Sequence, residues 1–486
     1  MNDLTSWFAL VALVLLISAL VSRFVERAPV SFPMLFLGLG LLLGQGVTGV
    51  ITLGPHSPVL VAVATLSLAL VLFLDAVNLE IEELRRDWHV PLLSLGPGTL
   101  LTVVGIALVA HWLLGTTLPQ SLLLGAVLAS TDIIVLRDIV RNERIPRSVR
   151  RALSIEAGMN DIVVLPIILI LIAISQASLH GAFAWFGFLA QLLVLSPVVG
   201  LIVGGIGAWL MGQVDKRMNI RREYQAMYGM GLVLAAYAAA QVVGGDGFLA
   251  AYFAGLAVAI FDVTLCDCFL EYGEVTAEMA MLLAFLLFGA VLSTLFGTIA
   301  IFPALLLAII AIGIIRPVAF DLVLRRATIS AAGRAFIGWF GPRGLSALLL
   351  ALLVVEANVP GAVSLLAVTG VVVLVSVVAH GVTANPLAAR YARQVAHAQQ
   401  TPAEEREGTV GGLFQGEADA VPRVAPEELA ELLASDKPPV VLDVRTRAQY
   451  DVAQNQIPGS VRVVPDQILE WAAKAARDRT VVAYCT

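Results

Sequence analysis

Apolar stretches of about twenty residues follow one another along this chain, up to position 383. A bilayer's hydrocarbon core is about 30 Å thick, and a helix of that length crosses it. Thirteen runs qualify: about 5–22, 32–53, 58–78, 91–114, 119–138, 149–175, 184–212, 225–242, 247–264, 275–292, 297–323, 334–355 and 361–383. The runs are continuous rather than alternating, which excludes a membrane barrel. Of the 486 residues, 59% are hydrophobic and only 14% are charged, where soluble domains carry about 25% charged. That balance excludes disorder and nucleic-acid binding through bulk charge. With three cysteines there is no disulfide framework. The expected fold is an all-α polytopic membrane protein with about thirteen spans and a retained first helix.

Charge marks the end of the membrane region. Of 66 charged residues, 25 fall in the last 100 positions, so the boundary with water lies near Pro386. The short loops are split by arginine and lysine content. Loops after odd-numbered spans carry Arg23 and Arg27, then Arg85 and Arg86, a cluster from Arg141 to Arg151, another from Lys216 to Arg222, and last Arg325 and Arg326. Loops after spans 2, 4, 6, 8, 10 and 12 carry none. The predicted orientation has the amino terminus outside and the tail in the cytoplasm of a plasma membrane, the inner membrane in a bacterium.

An ionisable group at the centre of a spanning helix costs at least about 2.5–3.5 kcal/mol, and it marks a partner, a water path or a function. Thr131 and Asp132 interrupt span 5, and Glu156, Asn160 and Asp161 lie in span 6. Glu156 and Asn160 are four apart and share a helix face, with Asp161 turned away from Glu156 by about 140°. Asp75 ends the apolar run of span 3, and Arg316 lies in span 11. Span 12 holds Gly338, Gly341, Pro342, Arg343 and Gly344, too many helix breakers for a continuous helix. Broken backbone is tolerated at membrane depth where protein buries it or a cavity is lined by it. Two interrupted segments in corresponding halves predict inverted repeats, two crossing helices and a site near the midplane. A buried arginine requires a carboxylate. Structural ion pairs throughout, and an interfacial Asp75, stand as the simpler alternatives. His111, His180 and His380 read as interfacial, and Cys266 and Cys268 as reduced thiols. No cofactor and no metal beyond a transported monovalent cation are expected.

Thr131-Asp132, Glu156 followed by Asn160-Asp161, and Gly-Trp-Phe-Gly-Pro-Arg-Gly (338–344) resemble the monovalent cation:proton antiporters, in the sodium/proton exchanger branch with an Asn-Asp pair. The segments 72–86 and 246–259 are also similar, and the resemblance covers about residues 5–390. It implies that Asp161 takes either a cation or a proton and that Thr131 offers oxygen ligands. It implies that Asp132 compensates the half-helix dipoles and that Asn160 links span 6 to the break in span 5. Glu156 would pair with Arg316, and Asp75 would lie near the ion. Where the family often has serine after the glutamate this chain has Ala157, and Asp75 stands where glutamate is common. A homodimer is implied by the resemblance alone.

One buried carboxylate suffices for exchange. A proton or a cation neutralises it, and the empty charged site is costly to carry through the membrane interior. Asn160 is neutral where electrogenic relatives have a second aspartate, so electroneutral exchange of Na⁺, K⁺ or Li⁺ for H⁺ is expected. Two other function classes are a sodium-coupled solute symporter and a membrane sensor with a vestigial transport core. Residues 1–390 would form the membrane domain and 391–425 a linker. Residues 426–486 have β-turn-β-α-β order and resemble the rhodanese-like domains through Asp443, Arg445, Tyr450 and Ile457-Pro458-Gly459. Cys485 stands where that family's anion-cradling loop opens. The sequence stops one residue later, so a partial domain without sulfurtransferase activity is expected.

Overall fold

The computed structural model describes residues 31–79, 89–132, 145–177, 180–218, 220–261, 263–327, 329–397, 426–433, 438–444, 456–463 and 480–484, with a few positions besides (10, 12–14, 16–20, 136, 139–140 and 471). The chain divides into two units, Met1–Phe414 and Gln415–Thr486.

The first unit is helical. Its elements are α1 (Phe32–Leu43), α2 (Pro58–Val77), α3 (His89–Leu114), α4 (Leu118–Ala129) and α5 (Arg147–Ser175). Then come α6 (Ala182–Met218), α7 (Arg222–Val242), α8 (Gly247–Phe261) and α9 (Val263–Leu295). The last are α10 (Ile301–Leu324), α11 (Ala331–Trp339), α12 (Leu345–Glu356) and α13 (Ala362–His397). Among the described residues seven helices are long and apolar enough to cross a membrane, and α1, α4, α8 and α12 are shorter apolar helices.

Several ends differ from the hydropathy pattern. The run 32–53 is helical only to Leu43; residues 44–51 form a loop closed by a bridge between Gly44 and Ile51. Residues 45–50 are exposed, and the helix ends in a glycine-rich turn in which Gly49 takes a left-handed φ of 72°. α4 starts with a capping box, in which the Gln120 side chain accepts the Thr117 N–H at 3.1 Å. It stops at Ala129, within the expected run to 138, where the main-chain groups of 129–132 turn to Pro342 and Arg343 instead of to the helical ladder. α13 continues through Pro386 to His397, seven residues into the expected linker. Tyr391 is the reason: it is buried and stacks on Phe336 of α11, with ring centroids 4.7 Å apart.

Three helices widen into a π turn: Ser94–Gly98 in α3, Gln191–Leu195 in α6 and Ala311–Ile315 in α10. The first contains Pro97, and the others are followed two residues on by Pro197 and Pro317; proline has no N–H to donate and crowds the carbonyl of the preceding turn. The Thr99 and Ser196 hydroxyls take the loosened carbonyls of Ser94 and Gln191, at 3.3 and 2.7 Å. In α10 the residue before the proline, where α6 has Ser196, is Arg316.

Two apolar clusters fill this unit. Along α5, Ala157 belongs to the smaller and Val164 to the larger, with Asn160 and Asp161 between them. The polar site therefore sits at the seam of two packed cores.

The second unit holds α14 (Pro426–Leu433) and a three-stranded parallel sheet. The strands are β1 (Val440–Asp443), β2 (Val461–Arg462) and β3 (Val481–Tyr484), in the order β2-β1-β3. Leu442 pairs with Val461 on one side and Ala483 on the other. β3 reads as a buried strand in the sequence, yet Val481 is 43% exposed, because among the described residues β3 lies at the sheet edge. Asp443 is buried and accepts the Tyr484 hydroxyl at 2.9 Å. Arg445, Tyr450 and Cys485 lie outside the described residues, as does nearly all of the helix expected at 467–477.

Candidate ion-exchange site

Two interrupted helices meet at the centre of the first unit. The first breaks at Ser130–Asp132 after α4, the second at Phe340–Gly344 between α11 and α12. Pro342 disfavours helical backbone at Gly341 and has no N–H of its own. The freed polar groups must find partners at this depth, and most find them across the crossing. The Asp132 N–H donates to the Pro342 carbonyl at 2.9 Å. The Leu345 N–H, at the start of α12, donates to Asp132 Oδ2 at 2.9 Å. The Arg343 guanidinium donates to the Ala129 and Ser130 carbonyls at 3.4 and 3.2 Å, where α4 ends. Thus a carboxylate faces the positive end of one half-helix and a guanidinium the negative end of the other.

Two glycines make this closeness possible. A Cβ on Gly344 would stand 1.9 Å from Asp132 Oδ2, and one on Gly341 1.8 Å from Arg316 Nε.

Arg316 and Glu156 form a two-pronged ion pair, Nη1 to Oε1 at 3.1 Å and Nη2 to Oε2 at 2.9 Å, with both side chains buried. Arg316 also donates to the Phe340 carbonyl at 3.3 Å and lies 4.1 Å from the Phe320 ring centroid. Glu156 Oε1 further accepts from Thr131 at 3.3 Å and from Asn160 at 3.2 Å. The Thr131 hydroxyl thus donates to Glu156 rather than to Asp161. The Asn160 amide reaches Thr99, at 3.3 Å, rather than the break after α4. The π turn of α3 places Thr99 there.

Asp161 is buried and accepts the Ser130 hydroxyl at 2.6 Å, and the Ser346 hydroxyl of α12 stands near it. Neither serine stood out in the sequence; each lies next to a break residue that did. Asp75, buried in the last turn of α2, is within electrostatic reach of Asp161 and Asp132. Among the described residues no arginine, lysine or histidine forms an ion pair with Asp161 or Asp75. Ala157 packs into the smaller apolar cluster and offers Asp161 no oxygen.

His380 is not interfacial. It is 2% exposed, and its Nε2 lies 2.9 Å from the Trp339 carbonyl at the end of α11. The break strips that carbonyl of its helical partner, which makes a buried donor useful there. His111 and His180 are exposed, and the side chains of Cys266 and Cys268 lie outside the described residues.

Crossed broken helices around a buried acid with no counter-ion among the described residues, in a multi-pass membrane protein, define a secondary transporter. The chain belongs to the transmembrane sodium/hydrogen exchanger family, which matches residues 10–390. Residues 425–486 match the rhodanese-like domain. The K(+)/H(+) antiporter NhaP2 of Shewanella baltica is 28% identical over 403 residues, 81% of this chain and 68% of that protein. The K(+)/H(+) antiporter NhaP of Alkalimonas amylolytica is 27% identical over 388 residues, 78% and 65% of the two chains. The fold matches the sodium proton antiporter MjNhaP1 from Methanocaldococcus jannaschii with a TM-score of 0.67 at 20% identity, over 81% of this chain and 100% of that one.

Proposed function

We propose that this protein exchanges a monovalent cation for a proton across the plasma membrane, electroneutrally, through competition of the two ions at Asp161. The observation that carries the reading is the setting of Asp161. It is a buried carboxylate held by the Ser130 hydroxyl, with that of Ser346 nearby, and by no cation among the described residues. Glu156 is neutralised by Arg316, and Asp132 is engaged by the α12 terminus. Asp161 is left to be neutralised by a mobile ion. The hydroxyls of Ser130 and Ser346 are oxygen ligands suited to a hard cation, and a proton on Asp161 removes the charge that holds it. Asn160 adds no second charge to the site, which supports one cation per proton. The names of the curated relatives support K⁺ as the cation, with Na⁺ and Li⁺ as the ions to compare. Asp75 would stand beside the ion, and Arg343 with Asp132 would hold the crossing in place. Thirteen spans in inverted repeats, an outside amino terminus, a cytoplasmic tail and a homodimer complete the proposal.

The test is dye-reported proton movement in everted vesicles on adding K⁺, Na⁺ or Li⁺, with a voltage dye in parallel. A pH change with at least one cation and no voltage, the pH change being lost in Asp161→Asn, is the expected result. A pH change accompanied by a voltage contradicts electroneutrality. No response to any cation from inserted protein contradicts the exchange reading.

A further inference from the structure

The α11–α12 break frees polar groups at both of its edges, and α13 meets both. Ser376, His380 and Thr383 lie four and three residues apart, on one helix face. At the first edge, the Trp339 carbonyl is an acceptor only, so the His380 Nε2 that lies 2.9 Å from it donates. Trp339 Nε1 donates to the Thr383 hydroxyl at 3.2 Å, and its ring lies 5.7 Å from the imidazole. At the second edge, the Arg343 N–H donates to Ser376 Oγ at 2.7 Å. Ser376 and His380 are themselves joined: with Nε2 as the donor, Nδ1 accepts the Ser376 hydroxyl at 3.1 Å. Both side chains are buried within an otherwise apolar stretch of α13. Polar groups there are costly and mark a function.

The position they fix is that of Arg343, which is tied to both oxygen donors on Asp161. Its guanidinium holds the Ser130 carbonyl at 3.2 Å, and the Ser130 hydroxyl lies 2.6 Å from Asp161. Its backbone leads into α12, where the hydroxyl of Ser346, three residues on, stands near Asp161. A displacement of Arg343 moves both donors together. We propose that Ser376 and His380 are positioning residues for ion exchange: by gripping both edges of the break they set where the Ser130 and Ser346 hydroxyls stand on Asp161, and so the affinity for the cation. This rests on Asp161 being the exchange site.

The experiment uses the full chain in proteoliposomes and reads the half-saturating cation concentration, the maximal rate and the melting temperature. His380→Ala and Ser376→Ala should each raise half-saturation about tenfold, the scale of one lost hydrogen bond. The double variant should raise it no further, since the two residues act as one clasp. His380→Gln, which keeps a donor for the Trp339 carbonyl, should return to within about twofold of wild type. Where His380→Ala does not insert, Ser376→Ala carries the test. Unchanged half-saturation in an inserted alanine variant overturns the proposal, even if the melting temperature falls. So does a His380→Gln as impaired as His380→Ala. Asp161→Asn is the control: if it exchanges ions like wild type, the site reading itself fails, whereas a dead Asp161→Asn beside an unaltered Ser376→Ala defeats only the positioning role.

Discussion

A guanidinium at membrane depth stays charged, so Arg316 binds the fold to its carboxylate. Removing one partner of such a pair leaves an uncompensated buried charge and costs about 3–5 kcal/mol. Glu156→Gln should therefore lower the melting temperature sharply. Arg316→Lys in the wild-type background should lower it as well, because an ammonium cannot reproduce the two-pronged contact. Gly344→Ala would place a methyl group 1.9 Å from Asp132 Oδ2. Such overpacking costs about 1–3 kcal/mol, and here it also pushes apart the two breaks, so exchange should fall together with stability. Flux and melting measurements on the same preparation check both. The sequence identifies acids and bases well, since each charge stands out against apolar neighbours. The four-residue spacing of Glu156 and Asn160 already places them on one face, and they are hydrogen-bonded. Small hydroxyls are invisible by the same standard. Ser130, Ser346 and Thr99 match any serine or threonine of a spanning helix, and only the fold selects them.

Among elements, hydropathy finds apolar segments and misses where the helix inside them stops. α4 ends and α12 begins where a guanidinium and a carboxylate capture main-chain groups, which depends on residues more than 200 positions away. Outside the spans, Asp246 precedes α8 and accepts the Leu249 N–H at 2.8 Å, while its own N–H donates to Ser196 of α6. Burial pushes its carboxyl from 3.8 up to about 6, against the backbone N–H bonds that lower it. Its acidity is thus weaker in the folded chain than in the unfolded one. The folded chain binds the extra proton between 3.8 and about 6, so this group's contribution to stability falls as pH rises through that window. Asp246→Asn, which keeps a capping acceptor, should remove the decline and stabilise the protein by roughly 2 kcal/mol at neutral pH. Melting temperatures near pH 4 and 7.5 for both proteins test this; parallel pH profiles would contradict it.

For the molecule as a whole, every residue assigned to exchange lies in the unit Met1–Phe414. Deleting 415–486 should therefore leave cation-dependent proton flux in place; its loss on deletion would give the rhodanese-like unit a part in transport. At this scale the sequence is most legible, because the motifs of a transporter occur in order along the chain and the charged tail begins where the apolar runs end. What it leaves open is how the runs cross, since crossing is set by groups that break helices rather than by groups that form them. The central claim is competition between cation and proton at Asp161. Its most direct test is the half-saturating K⁺ concentration in proteoliposomes across a pH series. On the acid side, half-saturation should rise about tenfold per pH unit while the maximal rate at saturating cation holds. A half-saturation independent of pH, with the maximal rate falling instead, would contradict a shared site.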